Sequence, residues 1–251
     1  MKSLLLGACL MLPLFASAQT IETVDQAAAP APAATPSLQP FVASYEVFRD
    51  GKALGEATMQ VVGQAGSRWR VDLTIRGTRG LFGLAGINAG QSTVFDKVGE
   101  SYRPLTQATV NKAFFTQKKS TGTYDWAARS ATWRGDVKEK RSGPVALQDG
   151  DMSGLLINLA VIRDAAPGRT LSYRFVDNGR AREHRYVVAA ERESISIGGI
   201  GYMAMRVDRI EEGDEETVIW VVSDVPTPIR MLQREGGVDT YDLRLLEYKG
   251  V

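Results

Sequence analysis

The feature that most constrains this chain is a two-residue alternation of apolar and polar side chains. In the stretch SRWRVDLTIR, Trp69, Val71, Leu73 and Ile75 are apolar, and the residues between them are charged or polar. Successive side chains of a β-strand point to opposite faces of its sheet, so this stretch predicts a strand with one buried and one solvated face. We therefore predict that these four side chains lie in the interior of a sheet.

Comparable runs continue along the chain, and turn sequences separate them. The runs are Phe41–Phe48, Ala57–Val62, Gln91–Asp96, Thr106–Val110, Phe114–Trp126, Ala131–Arg134, Leu171–Val176, Arg185–Ala189, Met203–Ile210, Thr217–Val222, Ile229–Arg234 and Thr240–Tyr248. Pairs such as Asp50-Gly51, Asn178-Gly179 and Gly236-Gly237 are typical of tight hairpin turns. Short spacing between runs and turns predicts antiparallel meanders. Trp220 is predicted to face the interior as well.

One segment has the period of a helix instead. Polar residues Asp151 to Ser153 precede four Leu and Ile side chains at helical spacing between Leu155 and Ile162, and Pro167-Gly168 follows. This pattern predicts one helix packed on the sheet. The predicted fold is therefore mainly β, with antiparallel meanders that form a curved sheet, and the sequence leaves open whether it is an open half-barrel or a barrel.

The first 18 residues have the pattern of a secretory signal peptide. Lys2 supplies the positive start, Leu4–Phe15 the apolar run and Ala16-Ser17-Ala18 the cleavage site. We therefore expect a periplasmic protein. The apolar run is too short to span a bilayer, and we expect no transmembrane segment after cleavage. Cys9 follows a lipoprotein-like box, but its position leaves only about five apolar residues before it, so we expect no lipid there.

Residues 19–40 are rich in Ala and Pro, which predicts a disordered leader, and 41–251 are predicted to form a single β-rich domain. Cleavage after Ala18 removes the only cysteine, which excludes disulfides and thiolate chemistry. It also removes Lys2, so the 30 basic residues become 29 against 29 acidic ones. A balanced chain is not attracted to nucleic acid, and we expect no nucleic-acid partner.

A search for catalytic and metal-binding patterns fails throughout the chain. His184 is the only histidine, and no serine lies in a Gly-x-Ser-x-Gly elbow. The segment from Asp149 begins like a calcium loop but has Ala160 where a bidentate Glu belongs. One histidine and no mature cysteine cannot supply a zinc site. We therefore predict no catalytic residue, no metal site and no cofactor.

The glycine-spaced segment GLFGLAGINAG is unusually apolar for a connection. Leu81, Phe82, Leu84 and Ile87 lie within it. If exposed, these side chains would form a lip over a lipid or a partner; if buried, they close one end of the core. They are our candidates for a ligand lip.

Short motifs along the chain carry a resemblance to a known family. They are Tyr45-Glu46-Val47, Gly51, Gly55-Glu56-Ala57, Tyr102-Arg103-Pro104, Asp151-Met152-Ser153, Ile219-Trp220-Val221 and Pro228-Ile229-Arg230. With them, nearly all of Phe41 to Val251 resembles the uncharacterised exported bacterial family called domain of unknown function 3108. The resemblance implies a periplasmic, mainly antiparallel β protein with no assigned activity. The C-terminal part, in which Asp224 and Arg230 follow the predicted strand that contains Trp220, also resembles periplasmic carriers of lipoproteins.

The leading functional hypothesis is a non-enzymatic envelope protein whose curved sheet binds an apolar or amphipathic ligand, such as a lipid or small molecule, or an envelope protein partner. One alternative is a hydrolase of an envelope glycan that uses two carboxylates, with Asp151, Glu191, Asp208 and Asp239 as candidates. A second alternative is a structural adaptor without a pocket. Whether the sheet interior is open or filled separates a carrier from an adaptor.

Overall fold

Fourteen antiparallel strands form one continuous sheet in the part of the chain that the structure describes. The structure is a computed structural model, and it describes residues 38–80, 83, 86–113, 115–210 and 214–251. Residues 1–37, which carry the predicted signal peptide and most of the predicted leader, lie outside this range. Residues Pro36–Val251 belong to one compact unit.

The strands follow the alternation read from the sequence, with more regular pairing than the runs alone indicate. They are β1 (Phe41–Arg49), β2 (Lys52–Gly63), β3 (Arg68–Gly77), β4 (Asn88–Val98), β5 (Ser101–Ala113), β6 (Thr116–Asp125), β7 (Ser130–Gly135), β8 (Val145–Ala146), β9 (Thr170–Asp177), β10 (Arg180–Ile197), β11 (Ile200–Ile210), β12 (Glu215–Val221), β13 (Arg230–Glu235) and β14 (Val238–Gly250). A short 3₁₀ turn at Glu139–Arg141 precedes β8.

The order of the strands divides the sheet into two meanders. The order is β8-β7-β6-β5-β4-β3-β2-β1-β14-β13-β12-β11-β10-β9. Within each meander, every strand pairs with the strand next to it in sequence. The two meanders meet where β1 pairs with β14 at the centre of the sheet. Strands β8 and β9 are the two edges, and they do not pair with each other. The predicted fold class is confirmed, and the sheet is curved but not closed into a barrel.

Tight turns at one end fix the register of several hairpins. Asp50 and Gly51 both have positive φ, of 49° and 68°, between β1 and β2. A two-residue hairpin turn of this kind matches the right-handed twist of the strands, and it needs residues that tolerate positive φ. Asn178 and Gly179 repeat the arrangement between β9 and β10, with φ values of 48° and 68°.

The helix α1 (Gly154–Asp164) packs between the edge strand β9 and strands of the first meander. It packs against β9 on one side and against β3, β4 and β5 on the other. Its apolar side chains are buried on nearly every face, and Leu156, Ala160 and Val161 have no exposed surface. Ser153 is the N-cap residue of α1, but its side chain makes no capping hydrogen bond; its hydroxyl instead forms a 2.9 Å hydrogen bond with Thr93 on β4. Among the described residues, no helix combines the length and apolar character needed to cross a bilayer.

The segment before α1 protects the edge strand β9. Met152 forms an isolated parallel bridge with Phe175, and its backbone exchanges hydrogen bonds with Arg174 and Val176. Asp151, with a fully buried side chain, accepts from Arg174 at 2.5 Å and from the Gln148 backbone at 2.8 Å. An edge strand covered in this way has few open backbone groups for pairing with another molecule.

Candidate functional site

The interior of the curved sheet holds a cavity of about 540 Å³. One wall is the first half of α1, with Leu155, Ile157 and Asn158, and the other walls are strands of both meanders. The sequence left open whether this interior is filled or open, and the structure has a packed core with this cavity beside it. The volume falls in the roughly 300–1,000 Å³ range of small-molecule sites.

Apolar side chains form about half of the cavity wall, and polar side chains such as Gln91, Gln107 and Gln233 form the rest. The apolar ones come from both meanders and from the connection before β4, and they are Leu54, Leu73, Ile75, Ile87, Phe175, Ile219, Met231 and Leu243. Their positions follow from the two-residue period, because alternate residues of a strand share one face. Two of the predicted interior residues, Leu73 and Ile75, are in this set.

The cavity opens to solvent at one end of the sheet. Arg49, Asn111, Arg182 and Tyr241 line the cavity and are exposed, and we call these four residues the mouth. All four lie near the end of an odd-numbered strand or near the start of an even-numbered strand. Because the strands are antiparallel, these positions are at the same end of the sheet. The mouth is therefore the polar rim of the site, and apolar wall residues lie beside it, since Phe175 pairs with Arg182 in the register of β9 and β10.

A buried polar network lies at the side of the cavity, where β5 approaches β9. Gln107 donates to the Asp177 carboxylate at 2.8 Å, and its carbonyl oxygen accepts from Tyr124 at 2.7 Å. The Tyr124 hydroxyl also lies 2.7 Å from the Val176 carbonyl oxygen. Burial raises the pKa of Asp177 above its ordinary value, although the Gln107 hydrogen bond and the nearby Arg182 oppose the shift.

His184 lines the cavity as a neutral imidazole. Its ring stacks on Phe175 with the centroids 4.5 Å apart and the planes 26° apart. Burial, followed by the positive charges of Arg209 and Arg182, lowers the pKa of His184 to about 4. The imidazole is therefore uncharged at neutral pH and adds a flat, weakly polar surface to the wall.

The charged residues of the cavity are mostly basic. Among the described residues, its lining contains the arginines Arg49, Arg182 and Arg209 and one carboxylate, Asp177. Burial raises the pKa of Tyr186, and the nearby Arg209, which lies 3.9 Å from Glu215, opposes that shift. Three arginines against one aspartate give the lining a positive balance at the end that meets solvent.

The predicted interior residues have different environments. Val71 has no exposed surface, and Trp69 packs against the core without lining the cavity. Trp220 is buried but is offset by one residue from Ile219, which lines the cavity, so it lies on the other face of β12. There its indole donates to Glu193, and the Arg230 guanidinium lies 4.8 Å above its ring.

The predicted lip is described only in part. Leu81, Phe82 and Leu84 lie outside the described residues. Ile87, the fourth candidate, is partly buried and lines the cavity. The segment that carries these residues therefore leads directly into the wall of the site.

The four carboxylates proposed for a hydrolase are not brought together at the cavity. Asp151, Asp208 and Asp239 are paired with Arg174, Arg206 and Arg234, with oxygen–nitrogen distances of 2.5, 2.7 and 2.7 Å. Glu191 is exposed in a bulge of β10. None of the four lines the cavity. No group of three or more His, Cys, Asp or Glu side chains suited to a metal ion occurs among the described residues.

Sequence reasoning missed the polar residues of the site. Arg182, His184 and Gln107 point inward from strands whose pattern predicts that inward positions are apolar. The alternation does place His184 two residues from the buried Tyr186, and that spacing was the available signal. What the sequence cannot supply is the contact between β5 and β9, because their residues are about 70 positions apart.

Comparison with known proteins agrees with this architecture. The sequence model of the family described as protein of unknown function, DUF3108, matches residues 42–244. No match is found among curated proteins. Among solved structures, the chain is similar to a β-barrel-like protein of the domain of unknown function DUF1849 from Brucella abortus. The TM-score is 0.53 at 10% identity, and the match covers 85% of this chain and 98% of the other. At this identity the likeness concerns the fold alone.

Proposed function

This chain belongs to the DUF3108 family, and we propose that it is a non-enzymatic protein of the bacterial periplasm that holds one amphipathic anion in its interior cavity. The apolar part of the ligand contacts the walls, and its anionic end lies at the mouth. The observation that carries the proposal is the combination in one site of a cavity of about 540 Å³, apolar walls and a basic opening.

The chemistry of the lining selects this class of ligand. Apolar walls favour a hydrocarbon portion, because burial of apolar surface contributes roughly 25 cal/mol per Å². Arg182 at the mouth supplies planar hydrogen-bond donors that match carboxylate, sulfate or phosphate oxygens. Neutral His184 and the stacked Phe175 leave the inner wall without a positive charge of its own. Location in the periplasm is supported by the signal-peptide pattern of the first 18 residues.

Binding rather than catalysis is favoured by the shortage of reactive groups in the site. In the part of the chain that the structure describes, the lining carries a single carboxylate, Asp177, and the only histidine of the sequence, whose ring stacks on Phe175. A carboxylate pair for glycan hydrolysis needs two acids about 5 to 9 Å apart across a substrate. The described part of the cavity lining contains one.

Two fluorescent probes of similar shape test the proposal. Anilinonaphthalene sulfonate carries a negative charge, and phenylnaphthylamine carries none. We expect saturable binding of both to the purified protein at one probe per chain. Ile75→Trp, which fills the cavity, should weaken both, whereas Arg182→Gln should weaken the anionic probe several-fold and leave the neutral one unchanged.

Arg134→Gln is the matched control, because Arg134 is exposed on β7 and does not line the cavity. Native mass spectrometry of protein recovered from its own host should also reveal a bound amphipathic anion. Binding that is unaffected by Ile75→Trp, or the absence of saturable binding of either probe, would refute a ligand in this cavity.

A further inference from the structure

The β5–β6 hairpin ends in a fully exposed aromatic side chain. Phe115, between Ala113 and Thr116, is 104% exposed, the highest exposure among the large apolar side chains described. Residue 114, its neighbour in sequence, lies outside the described residues. A large aromatic at the tip of a hairpin has no packing role within the fold, and removal from water would favour its burial elsewhere.

Lysines surround this tip on both faces of the hairpin. Lys112, Lys118 and Lys119 are exposed, and none forms an ion pair with another described residue. Lys118 lies opposite Asn111 and Lys119 opposite Val110 in the register of the two strands. Opposite residues share a face and successive residues alternate, so each face carries at least one lysine.

The strands of the hairpin carry no compensating negative charge. From Ser101 to Tyr124 the sequence contains Arg103 and the three lysines but no Asp or Glu. This local excess contrasts with the balance of 30 basic and 29 acidic residues in the whole chain. The hairpin therefore combines an apolar tip with a basic collar, the arrangement that suits an interface between hydrocarbon and anionic headgroups.

We propose that the β5–β6 hairpin docks the protein on an anionic phospholipid surface, with Phe115 entering the acyl region and Lys112, Lys118 and Lys119 contacting the headgroups. A bilayer fits better than a protein partner. A stable protein interface needs about 800 Å² per side, whereas this feature is one side chain with a flexible basic collar. Long lysine side chains can place their charges at headgroup level around an inserted tip.

The position of the hairpin gives the docking a consequence for the cavity. Asn111, a residue of the mouth, precedes Phe115 by four positions on the same hairpin, which is at most about 13 Å in extended chain. Docking therefore brings the mouth to the membrane, and a ligand passes between bilayer and cavity without crossing open water. That consequence rests on the proposed function, but the docking itself does not.

Co-sedimentation with lipid vesicles tests the docking. We expect the protein to bind vesicles rich in phosphatidylglycerol and to bind phosphatidylcholine vesicles much more weakly. Phe115→Ser should weaken binding about tenfold or more, because it removes the apolar insertion, and Phe115→Trp should retain it. The double change Lys118→Gln and Lys119→Gln should lose about fivefold per lysine. Binding should also fall at about 1 M salt, where charges are screened beyond about 3 Å.

Two residues at the opposite end of the sheet provide controls. Ile200 is 56% exposed at the start of β11, and Lys249 is exposed near the end of β14. Ile200→Ser and Lys249→Gln should bind vesicles like the unchanged protein. Equal vesicle binding by Phe115→Ser and the unchanged protein, or no binding to anionic vesicles at all, would overturn the docking. Because the probe titrations use no vesicles, failure of the docking and failure of the cavity site are distinguishable.

Discussion

Gln107 on β5 donates a 2.8 Å hydrogen bond to Asp177 on β9, and these strands are not neighbours in the sheet. Together with Tyr124, the pair ties the two meanders to each other at the side of the cavity where the sheet does not close. Among the described strands, backbone pairing joins the two meanders only between β1 and β14. In a closed barrel, backbone hydrogen bonds join the first and last strands. Here the side chains of this network supply part of that connection.

Loss of the Tyr124 hydroxyl should weaken this connection. Tyr124→Phe removes the donor to Gln107 and Val176 and leaves buried acceptors without it. The expected loss is about 1–3 kcal/mol in the free energy of unfolding, measured by urea denaturation. Tyr241→Phe, at an exposed tyrosine, should change stability by less than about 0.5 kcal/mol. Equal midpoints for the two variants would contradict a role for the network in stability.

The buried carboxylate before α1 should depend strongly on its arginine. Arg174→Met leaves the fully buried Asp151 without its ion pair, and the expected loss is about 3–5 kcal/mol of unfolding free energy. The comparison is Arg129→Met, which breaks the exposed pair with Asp149 and should cost less than about 1 kcal/mol. Thermal or urea unfolding measures both, and similar losses would show that burial of Asp151 has no energetic consequence.

The single histidine should titrate far below its ordinary range. Burial and two nearby arginines lower the pKa of His184 to about 4, whereas an unfolded chain has a histidine pKa of about 6.5. Between these values the unfolded state binds more protons, so this residue makes stability fall as the pH falls from about 6.5 to about 4. Proton NMR gives one imidazole signal to follow, since His184 is the only histidine. A midpoint near pH 6.5 in the folded protein would contradict the buried position.

Two strand glycines should differ sharply in their tolerance of a side chain. A Cβ at Gly55 would lie 1.9 Å from the Arg76 carbonyl oxygen, whereas a Cβ at Gly90 meets nothing within 4 Å. Neither glycine has positive φ, so backbone strain does not enter the comparison. Gly55→Ala should destabilise by about 1–3 kcal/mol through the clash, and Gly90→Ala should leave unfolding free energy within about 0.5 kcal/mol. Equal melting curves would place the backbone of β3 elsewhere.

The sequence predicted the fold well where one face of a strand is apolar and the other polar. The stretch around Val71 and the helix around Leu156 are examples. In each of them the buried face requires apolar residues at a regular spacing, and that spacing is visible in the sequence. β10 is the counterexample. It runs from Arg180 to Ile197, far beyond the predicted Arg185–Ala189, since most residues of its ends are polar and exposed. A strand that is solvated on both faces leaves no alternation to read.

The site was less predictable than the fold for a different reason. Leu73 and Ile75 were identified because apolar residues in alternation face the interior. Arg182 and Asp177 also face it, and nothing in a local pattern distinguishes an inward charge from an outward one. The cavity lies between α1 and strands of both meanders, and that arrangement is a property of long-range packing.

The pairing of β1 with β14 has a consequence for how the molecule is assembled. Phe41 lies opposite Gly250, a separation of more than 200 positions along the chain. Each meander can form from its own hairpins. The pairing of β1 with β14, however, requires the thirteen-residue strand β14, which follows the other strands in the sequence. Contacts this distant slow folding and leave an unsatisfied edge in the meantime. We therefore expect the docking of the two half-sheets to be a late step of folding, and the interior to be enclosed only once that step is complete.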